Sequence, residues 1–233
     1  MFKAVLVKKG KLLEQSQRLR KKVFFGKRGK DADAFDQFCQ HLVVVDKKTE
    51  KVIGTYRLLL GSVAQKNKGF YSASEFDLSN IKRNCKGEIL EMGRACVDSA
   101  YRRHPLIISI LWRELLMFFK KYKISYVIGC ASITDHSPEK IGAVMDFFRS
   151  RCFAPAQFRA DPLKDKIYPY AKHNGKITDR DIIRILPSLV KGYLKMGAYV
   201  CGEPVWDKDF DTADFFMLLD TKKINAEYRK KFL

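Results

Sequence analysis

The spacing of apolar and polar residues in the first half of the chain predicts an antiparallel hairpin and two further strands. The apolar, β-branched runs at 41–45 (HLVVV) and 51–62 (KVIGTYRLLLGS) are joined by the polar segment DKKTE, as expected for two strands and a turn. GEILEMGRACVD (87–98) and SYVIGCASI (125–133) have the same strand-like composition. The segments at 87–98 and 125–133 are therefore expected to lie in one sheet.

Helical patterns separate these strands. The segment after YRRHP has the length and apolar density of a buried helix that starts near Pro105. Ser137-Pro138-Glu139 is typical of a helix start, and 185–198 predicts a helix closed near Gly197. Late strands are expected in 198–207 and 215–220. The mixed order of helices and strands predicts an α/β (α+β) fold, with a twisted mixed sheet flanked by helices.

The N-terminal segment, at about 10–25, predicts a basic amphipathic helix. Its less polar positions recur at steps of three and four residues, with lysines and arginines on the opposite side: Leu12, Leu13, Ser16, Leu19 and Val23. Two interpretations stay open. The helix packs on the core with a solvated basic side, or it docks on a membrane surface or a carrier protein.

The length and net charge of the chain limit its domain number and the kind of partner that it binds. The 233 residues, 46% of them hydrophobic, suit a single domain spanning 1–233. Lysine and arginine exceed aspartate and glutamate by 45 to 26, a net charge of +19, which favours an acidic partner. Nucleic acid, an anionic membrane surface and an acidic carrier protein each fit this charge.

Several classes of site and location are disfavoured by what the sequence lacks. The six cysteines have no zinc spacing, so free thiols in a reducing cytosol and no metal site are expected. No nucleotide-binding loop, zinc-protease motif or serine-hydrolase elbow occurs. No segment resembles a signal peptide or reaches the roughly 20 apolar residues of a membrane span. The expected location is the cytoplasm, either free or peripherally bound to the inner face of the inner membrane.

Charged residues embedded in apolar surroundings are the candidate chemistry. They are Asp33, Asp36, Arg57, Glu75, Glu91 and Arg94. Ionised groups are costly to bury unless they are paired or used. Taken singly, each could belong to an ion pair that joins strands. Their number and their complementary signs favour a polar pocket.

Seven motifs in a fixed order resemble one family. They are D-x-F-D (33–36), H-L (41–42), G-T-Y-R-L (54–58), F-Y-x-x-S-E-F (70–76), E-x-G-R (91–94), Y-R (101–102) and the late L-x-x-G-A…D-x-x-F-x-T-x-D-F (194–215). The series resembles bacterial ornithine acyl-carrier-protein N-acyltransferases. These enzymes have the GNAT fold and are akin to N-acyl amino acid synthases and acyl-homoserine lactone synthases.

The resemblance implies roles for residues on the donor side. Glu91 is expected to be the base that deprotonates the acceptor amine, and Arg94 to brace Glu91 or Asp36. Backbone amides of the segment around Cys96, Val97 and Asp98 are expected to hold the thioester and the phosphopantetheine arm. Arg102 and Arg103 precede a helix start, where they are expected to hold the carrier's phosphate or to be solvated charges.

The donor and the acceptor follow from the same resemblance. Asp33, Asp36 and Arg57 match positions that bind the amino acid's cationic groups and carboxylate. The YRRHP turn has no glycine, unlike pyrophosphate loops of acetyl-CoA-dependent relatives. This departure favours acyl carrier protein as the donor, with phosphopantetheine arriving on the carrier and no resident cofactor. His41 is expected to be structural and Cys130 a core thiol, since direct transfer needs no nucleophile.

The leading hypothesis is transfer of a fatty acyl chain, with or without a 3-hydroxyl group, from acyl carrier protein to the α-amine of ornithine, giving a lyso-ornithine lipid. Alternatives are N-acylation of glycine or another amino acid, then an acyl-homoserine lactone synthase. A non-catalytic basic protein that binds membrane or nucleic acid is the alternative of a different class. Nucleic acid is not the expected partner, since the aromatic residues lie mostly in apolar runs.

Overall fold

The computed structural model describes residues 1–102, 104–172, 175–225 and 227–228 as two compact units. Unit 1 consists of Met1–Phe70 and Glu88–Ile124, and unit 2 consists of Tyr71–Gly87 and Ser125–Tyr228. The expectation of a single domain stays a prediction, because compact units do not show whether each folds independently.

The helices and strands have the following bounds. The strands are β1 (Phe2–Val7), β2 (Gln40–Asp46), β3 (Lys51–Leu60), β4 (Glu88–Val97), β5 (Ile124–Ile133), β6 (Tyr199–Val200), β7 (Val205–Asp207) and β8 (Thr212–Asp220). The α-helices are α1 (Lys11–Phe25), α2 (Gly61–Ala64), α3 (Ser79–Asn84), α4 (Pro105–Lys121), α5 (Pro138–Arg151), α6 (Asp179–Ile185) and α7 (Ser188–Lys195). Among the described residues, no helix is both long and apolar enough to cross a bilayer.

Most predicted elements are confirmed, and the departures have local causes. The β2–β3 hairpin, β4, β5, α1, α4 and α5 lie where the patterns placed them. The helix predicted over 185–198 begins only at Ser188, because Pro187, with φ −58° and ψ 150°, precedes it in an extended conformation. The preceding residues form α6, opened by a capping box between Thr178 and Asp181. The short alternation of β1 gave no prediction.

Unit 1 has four antiparallel strands covered by a helix on each face. β2 pairs with both β1 and β3, and β3 pairs with β4. Leu19 of α1 packs on one face against Val43, Val52 and Cys96. On the other face, Ile107 and Leu111 of α4 lie within ordinary contact of a Cβ built on Gly54.

Burial of α1 confirms the core-packing interpretation, while docking by its basic side stays a prediction. Leu19 lies in the core, and Leu12, Val23 and Phe24 pack partly buried against the same cluster. The apolar side of the helix is thus committed to the sheet, as in the core-packing interpretation. One basic residue departs from the predicted solvated side: Arg20 is fully buried.

A β-bulge in β4 changes the direction of the strand in the middle of the sheet. Thr55 pairs with Cys96 and Arg57 with Gly93, so two residues of β4, Arg94 and Ala95, oppose the single residue Tyr56. Arg94 accordingly has a left-handed backbone, with φ 49°. Because of the extra residue, Gly93 and Cys96 both point to the face that carries α1 and Arg57.

Unit 2 is built around β8. This strand pairs along its length with β5, and β6 and β7 pair with different stretches of it. Phe148 of α5 packs edge-on against Phe215 of β8, with ring centroids 5.2 Å apart. All of β8 except its last residue is buried.

Candidate functional site

A buried arginine of α1 is the centre of a charged cluster in unit 1. The Arg20 side chain has 0% exposure, and its guanidinium donates from Nη1 and Nη2 to the two carboxylate oxygens of Asp36, at 3.0 and 3.1 Å. Its Nε donates to Asp31 Oδ2 at 2.8 Å. Gln17, one turn earlier on α1, donates to Asp36 Oδ2 at 2.9 Å. Such forked contacts satisfy the guanidinium in several directions at once.

The loop after α1 is folded so that its carboxylates face this arginine. Gly26 ends α1 in a left-handed conformation, with φ 63°. The Asp31 amide then donates to the Gln17 carbonyl at 3.0 Å, which ties the loop to the helix. Asp33 Oδ1 accepts from the Phe35 amide at 2.8 Å, the local bond that turns the chain into the 3₁₀ turn Asp36–Phe38.

Two more arginines extend the cluster from the sheet. Arg57 of β3 donates to Asp33 Oδ2 at 2.6 Å and to Asp36 Oδ1 at 3.1 Å. Arg94, at the bulge of β4, lies 3.3 Å from both Asp33 Oδ2 and Asp31 Oδ2. Its guanidinium thus pairs with two carboxylates of the loop. The expectation that Arg94 braces Glu91 or Asp36 stays a prediction.

The structure brings together the predicted residues Asp33, Asp36, Arg57 and Arg94. Sequence reasoning missed Arg20, Asp31 and Gln17, which complete the network. An arginine at position 20, on the otherwise apolar side of an amphipathic helix, was the one signal that could have revealed it.

The arginines keep the two central aspartates ionised. Burial alone would raise the pKa of Asp36, but hydrogen bonds and charge from Arg20, with Gln17 and Arg57, hold it below its ordinary value. The pKa of Asp33 is likewise lowered, because Arg57 outweighs the effect of burial. The pKa of Arg57 is raised, since its carboxylate partners outweigh its own burial.

Glu91 lies on the same face of the sheet as Arg57. Glu91 is directly opposite Leu59 and two residues from Gly93, the cross-strand partner of Arg57. It is buried, like Arg57. The predicted base is thus beside the cluster, on the strand where the sequence placed it.

Two further buried groups lie within the field of this cluster. Burial raises the pKa of Cys39 to about 12, with smaller effects from Arg57, Asp36, Glu91 and Asp33. His41, opposite Arg57, is fully buried, and its Nε2 is 3.2 Å from the Asp36 carbonyl oxygen. Burial lowers the pKa of His41, so its neutral form is favoured. Cys39 and His41 therefore add no charge to the site near neutral pH.

Open space adjoins Gly93 on this face. A Cβ built on Gly93 would meet no other atom within 4 Å, whereas one on Gly54, on the opposite face, would contact Ile107 at 3.5 Å. Gly93 lies between Glu91 and Arg94 in sequence and opposite Arg57. A ligand can therefore approach the backbone of β4 at the point where Arg57 and Glu91 flank it.

The residues predicted to bind the acyl donor differ in their exposure. Cys96 is buried under α1, and burial raises its pKa to about 12. The Asp98 amide donates to the Ile53 carbonyl at 2.8 Å, and Val97 pairs with Gly54. Arg102 is exposed, with Nε 3.4 Å from the Val97 carbonyl oxygen. Arg103 lies outside the described residues.

Unit 2 contains a separate group of polar side chains. Carboxylate oxygens of Glu75, Asp207 and Asp214 lie within 4.8 Å of one another. Asp214 accepts hydrogen bonds from Ser132 at 3.0 Å and from Thr212 at 2.6 Å. Burial, with the charges of Glu75 and Asp214, raises the pKa of Cys130 well above its ordinary value. The thiol of Cys130 therefore stays protonated, as its predicted core role requires.

The fold and the charged cluster define the class of protein. Residues 17–113, which contain every member of the cluster, match the family model described as an acetyltransferase (GNAT) domain. The fold resembles FeeM, an N-acyl amino acid synthase from uncultured soil microbes, with a TM-score of 0.58 and 11% identity over 100% of this chain and 95% of that one. It also resembles BjaI, a CoA-dependent acyl-homoserine lactone synthase, with a TM-score of 0.54 and 14% identity over 100% and 87%. The protein is an acyltransferase of GNAT fold, as predicted.

Two relatives narrow the class. The L-ornithine N(alpha)-acyltransferase of Agrobacterium fabrum is 33% identical over 87% of this chain and 71% of its own length. The protein of the same name from Brucella abortus is 31% identical over 93% and 83%. The chain belongs to the L-ornithine N(alpha)-acyltransferase family.

The first prediction tests the buried arginine against an exposed one on the same helix. Arg20→Met should lower the free energy of unfolding by about 3–5 kcal/mol, because Asp31 and Asp36 lose a buried partner. Arg18→Met is the matched control: the Arg18 side chain is 61% exposed and pairs with Glu14 at 3.4 Å, so the loss should be below about 1 kcal/mol. Urea unfolding measures both, and equal effects would contradict a structural role for the Arg20 cluster.

The lowered pKa values of Asp33 and Asp36 predict that the stability of the protein depends on pH. Because the folded pKa values of Asp33 and Asp36 are lowered, their stabilising effect is complete above the unfolded value, about 3.9, and is lost as the pH falls through the folded values. The free energy of unfolding should therefore decrease as the pH falls below about 4. In Asp36→Asn this dependence should be shallower. An equal slope in both proteins, measured by urea unfolding at several pH values, would contradict the assignment.

Proposed function

We propose that the protein transfers a 3-hydroxy fatty acyl chain from acyl carrier protein to the α-amine of ornithine, giving a lyso-ornithine lipid. The observation that carries the proposal is the position of Glu91 beside Arg57 and the open space at Gly93, on one face of the sheet. The relatives named L-ornithine N(alpha)-acyltransferase support ornithine as the acceptor.

The proposed chemistry assigns one task to each part of this face. Glu91 accepts a proton from the α-ammonium, directly or through water, and the freed amine attacks the thioester carbon. A C–N bond forms, the C–S bond breaks, and the pantetheine thiolate leaves and takes up a proton. Backbone N–H groups at the bulge in β4 are suited to stabilise the oxyanion, because a bulge interrupts the ladder at Arg94 and Ala95.

The acceptor's charged ends have complementary partners in the cluster. The guanidinium of Arg57 suits the substrate carboxylate, and the part-exposed Asp33 suits an ammonium group. Both side chains are already paired with each other at 2.6 Å. Binding is therefore proposed to add to this network or to exchange one of its contacts, while Arg20 keeps Asp36 in place.

Acyl carrier protein is proposed as the donor, on the grounds of charge and sequence. The chain carries a net charge of +19, and such a surface attracts an acidic partner. Arg102 is exposed just before α4, where a phosphate of the carried arm can be bound. Delivery of the product to an anionic inner-leaflet surface is part of the same proposal.

The test is incubation of the protein with 3-hydroxyacyl carrier protein and a mixture of amino acids, followed by identification of the acylated product by mass. We expect N-acylornithine and release of carrier thiol that depends on ornithine. Acylglycine as the main product would mean that glycine, and not ornithine, is the acceptor. Thiol release from acyl-CoA but not from the carrier would mean that acyl-CoA, and not acyl carrier protein, is the donor.

Replacement of the base should slow the reaction without unfolding the protein. Glu91→Gln should reduce turnover by about 100-fold, because the ammonium loses its proton acceptor. Glu88→Gln is the control on the same strand: Glu88 accepts a hydrogen bond from the Ser62 amide at 2.9 Å, a bond that a glutamine oxygen retains. Unchanged turnover in folded Glu91→Gln would remove Glu91 as the base.

Filling the space at Gly93 tests where the acceptor binds. Gly93→Ala should raise the KM for ornithine by about 10-fold or more, because one methyl group occupies space beside Arg57 and Glu91. Gly54→Ala, on the opposite face with its nearest contact at 3.5 Å, should leave the KM unchanged. Both variants should unfold at wild-type urea concentrations. An unchanged KM in Gly93→Ala would place the acceptor elsewhere.

A further inference from the structure

The outward face of α4 combines exposed apolar and basic side chains in one line. Leu106 and Met117 are 55% and 54% exposed. Positions that follow one another at steps of three and four residues share one side of a helix. This line, named here the α4 stripe, consists of the exposed Leu106, Arg113, Met117, Lys120 and Lys121 and the half-buried Ile110.

The fold of unit 1 does not require this stripe to be apolar. The opposite side of α4 supplies the core, where Ile107, Leu111 and Leu115 are no more than 3% exposed. Large exposed apolar residues are few in the described part of the chain, and four of the six lie in unit 1, on α4 or at β1: Met1, Leu6, Leu106 and Met117. None of the six lies on α1.

The arrangement of charge on the α4 stripe selects the partner. Its three cations lie on both sides of Met117, with Arg113 before it and Lys120 and Lys121 after it, and the one acid of α4, Glu114, is 3.2 Å from Arg113. Long basic side chains can extend to lipid phosphates while leucine and methionine enter the acyl boundary below them. A helix that lies along the surface of the protein presents such a line to a plane. We infer that the α4 stripe docks the protein on an anionic lipid surface.

The N-terminal helix has a different part in this docking. Leu19 is buried, and Leu12, Val23 and Phe24 pack partly buried against the sheet, so these four apolar residues are held in the fold. Its exposed cations, such as Lys11 and Arg18, add attraction through the solvent that salt screens. Insertion is therefore assigned to α4, where Leu106 and Met117 are exposed, while α1 contributes charge.

The experiment measures binding of the purified protein to sedimented vesicles, without substrate, so its outcome is independent of the proposed reaction. Binding to vesicles with about one third anionic lipid should exceed binding to zwitterionic vesicles and fall with salt. Leu106→Ser with Met117→Ser should weaken binding to anionic vesicles by about 10-fold or more, because the residues that enter lipid are lost.

Matched variants separate the stripe from general effects. Ile167→Ser with Ile183→Ser removes apolar residues of similar exposure, 53% and 48%, from unit 2 and should leave vesicle binding within about 2-fold of wild type. Lys120→Gln with Lys121→Gln should weaken binding more than Arg18→Gln with Lys27→Gln, although the loss of charge is equal. All variants are checked for wild-type unfolding midpoints.

Three outcomes would overturn the inference. Equal loss of binding in the two apolar pairs would mean that any exposed apolar residue serves. Equal affinity for zwitterionic and anionic vesicles would remove the role of the cations. Unaltered vesicle binding together with a raised KM for acyl carrier protein, in Leu106→Ser with Met117→Ser, would make the stripe a carrier-docking surface.

Discussion

The burial of the Arg20 guanidinium is the constraint on which the arrangement of unit 1 depends. A buried cation is tolerated only when anions surround it closely, and here Asp31 and Asp36 do so. Those carboxylates lie on a loop that must return to α1 after Gly26. Once held there, they are shared with Arg57 and Arg94, so the helix, the loop and two strands are joined by one set of charges.

The charged residues of this network have two kinds of role. Arg20 has no exposed side-chain surface and holds Asp36 in place, whereas Asp33, in the same network, is part-exposed. The bulge in β4 links these two roles. Arg94 has a left-handed backbone at the bulge and its guanidinium reaches the loop, while Gly93 faces the open space. A ligand that exchanges contacts with Asp33 or Arg57 therefore meets partners whose orientation is already fixed.

Much of the fold could be predicted from periodicity because its central elements have one clear period. The β2–β3 hairpin has a polar turn between two β-branched runs, and α4 is a long apolar run behind a proline. The missed elements are those where the pattern is short or conflicting. β1 has six residues, most of them part-exposed, and Pro187 divides what reads as one helix.

The candidate site was half predictable, for a physical reason. Six residues were suspected because charge in an apolar run is costly, and four of them form one network: Asp33, Asp36, Arg57 and Arg94. Pairing between them could not be derived, since it depends on the path of the loop and on the bulge. Arg20 escaped notice because α1 is rich in lysine and arginine, and one buried member cannot be told from its solvated neighbours by composition.

The bare backbone at Gly93 has a consequence for how such an enzyme could change over time. A glycine codon becomes an alanine codon by one base substitution, and nothing in the surrounding structure opposes the added carbon. The face proposed to bind the acceptor thus changes by the smallest available genetic step, with the strand, the bulge and the charged network left intact. The arginines and aspartates nearby are tied to one another by ion pairs, whereas a methyl group at Gly93 would have no neighbour to displace.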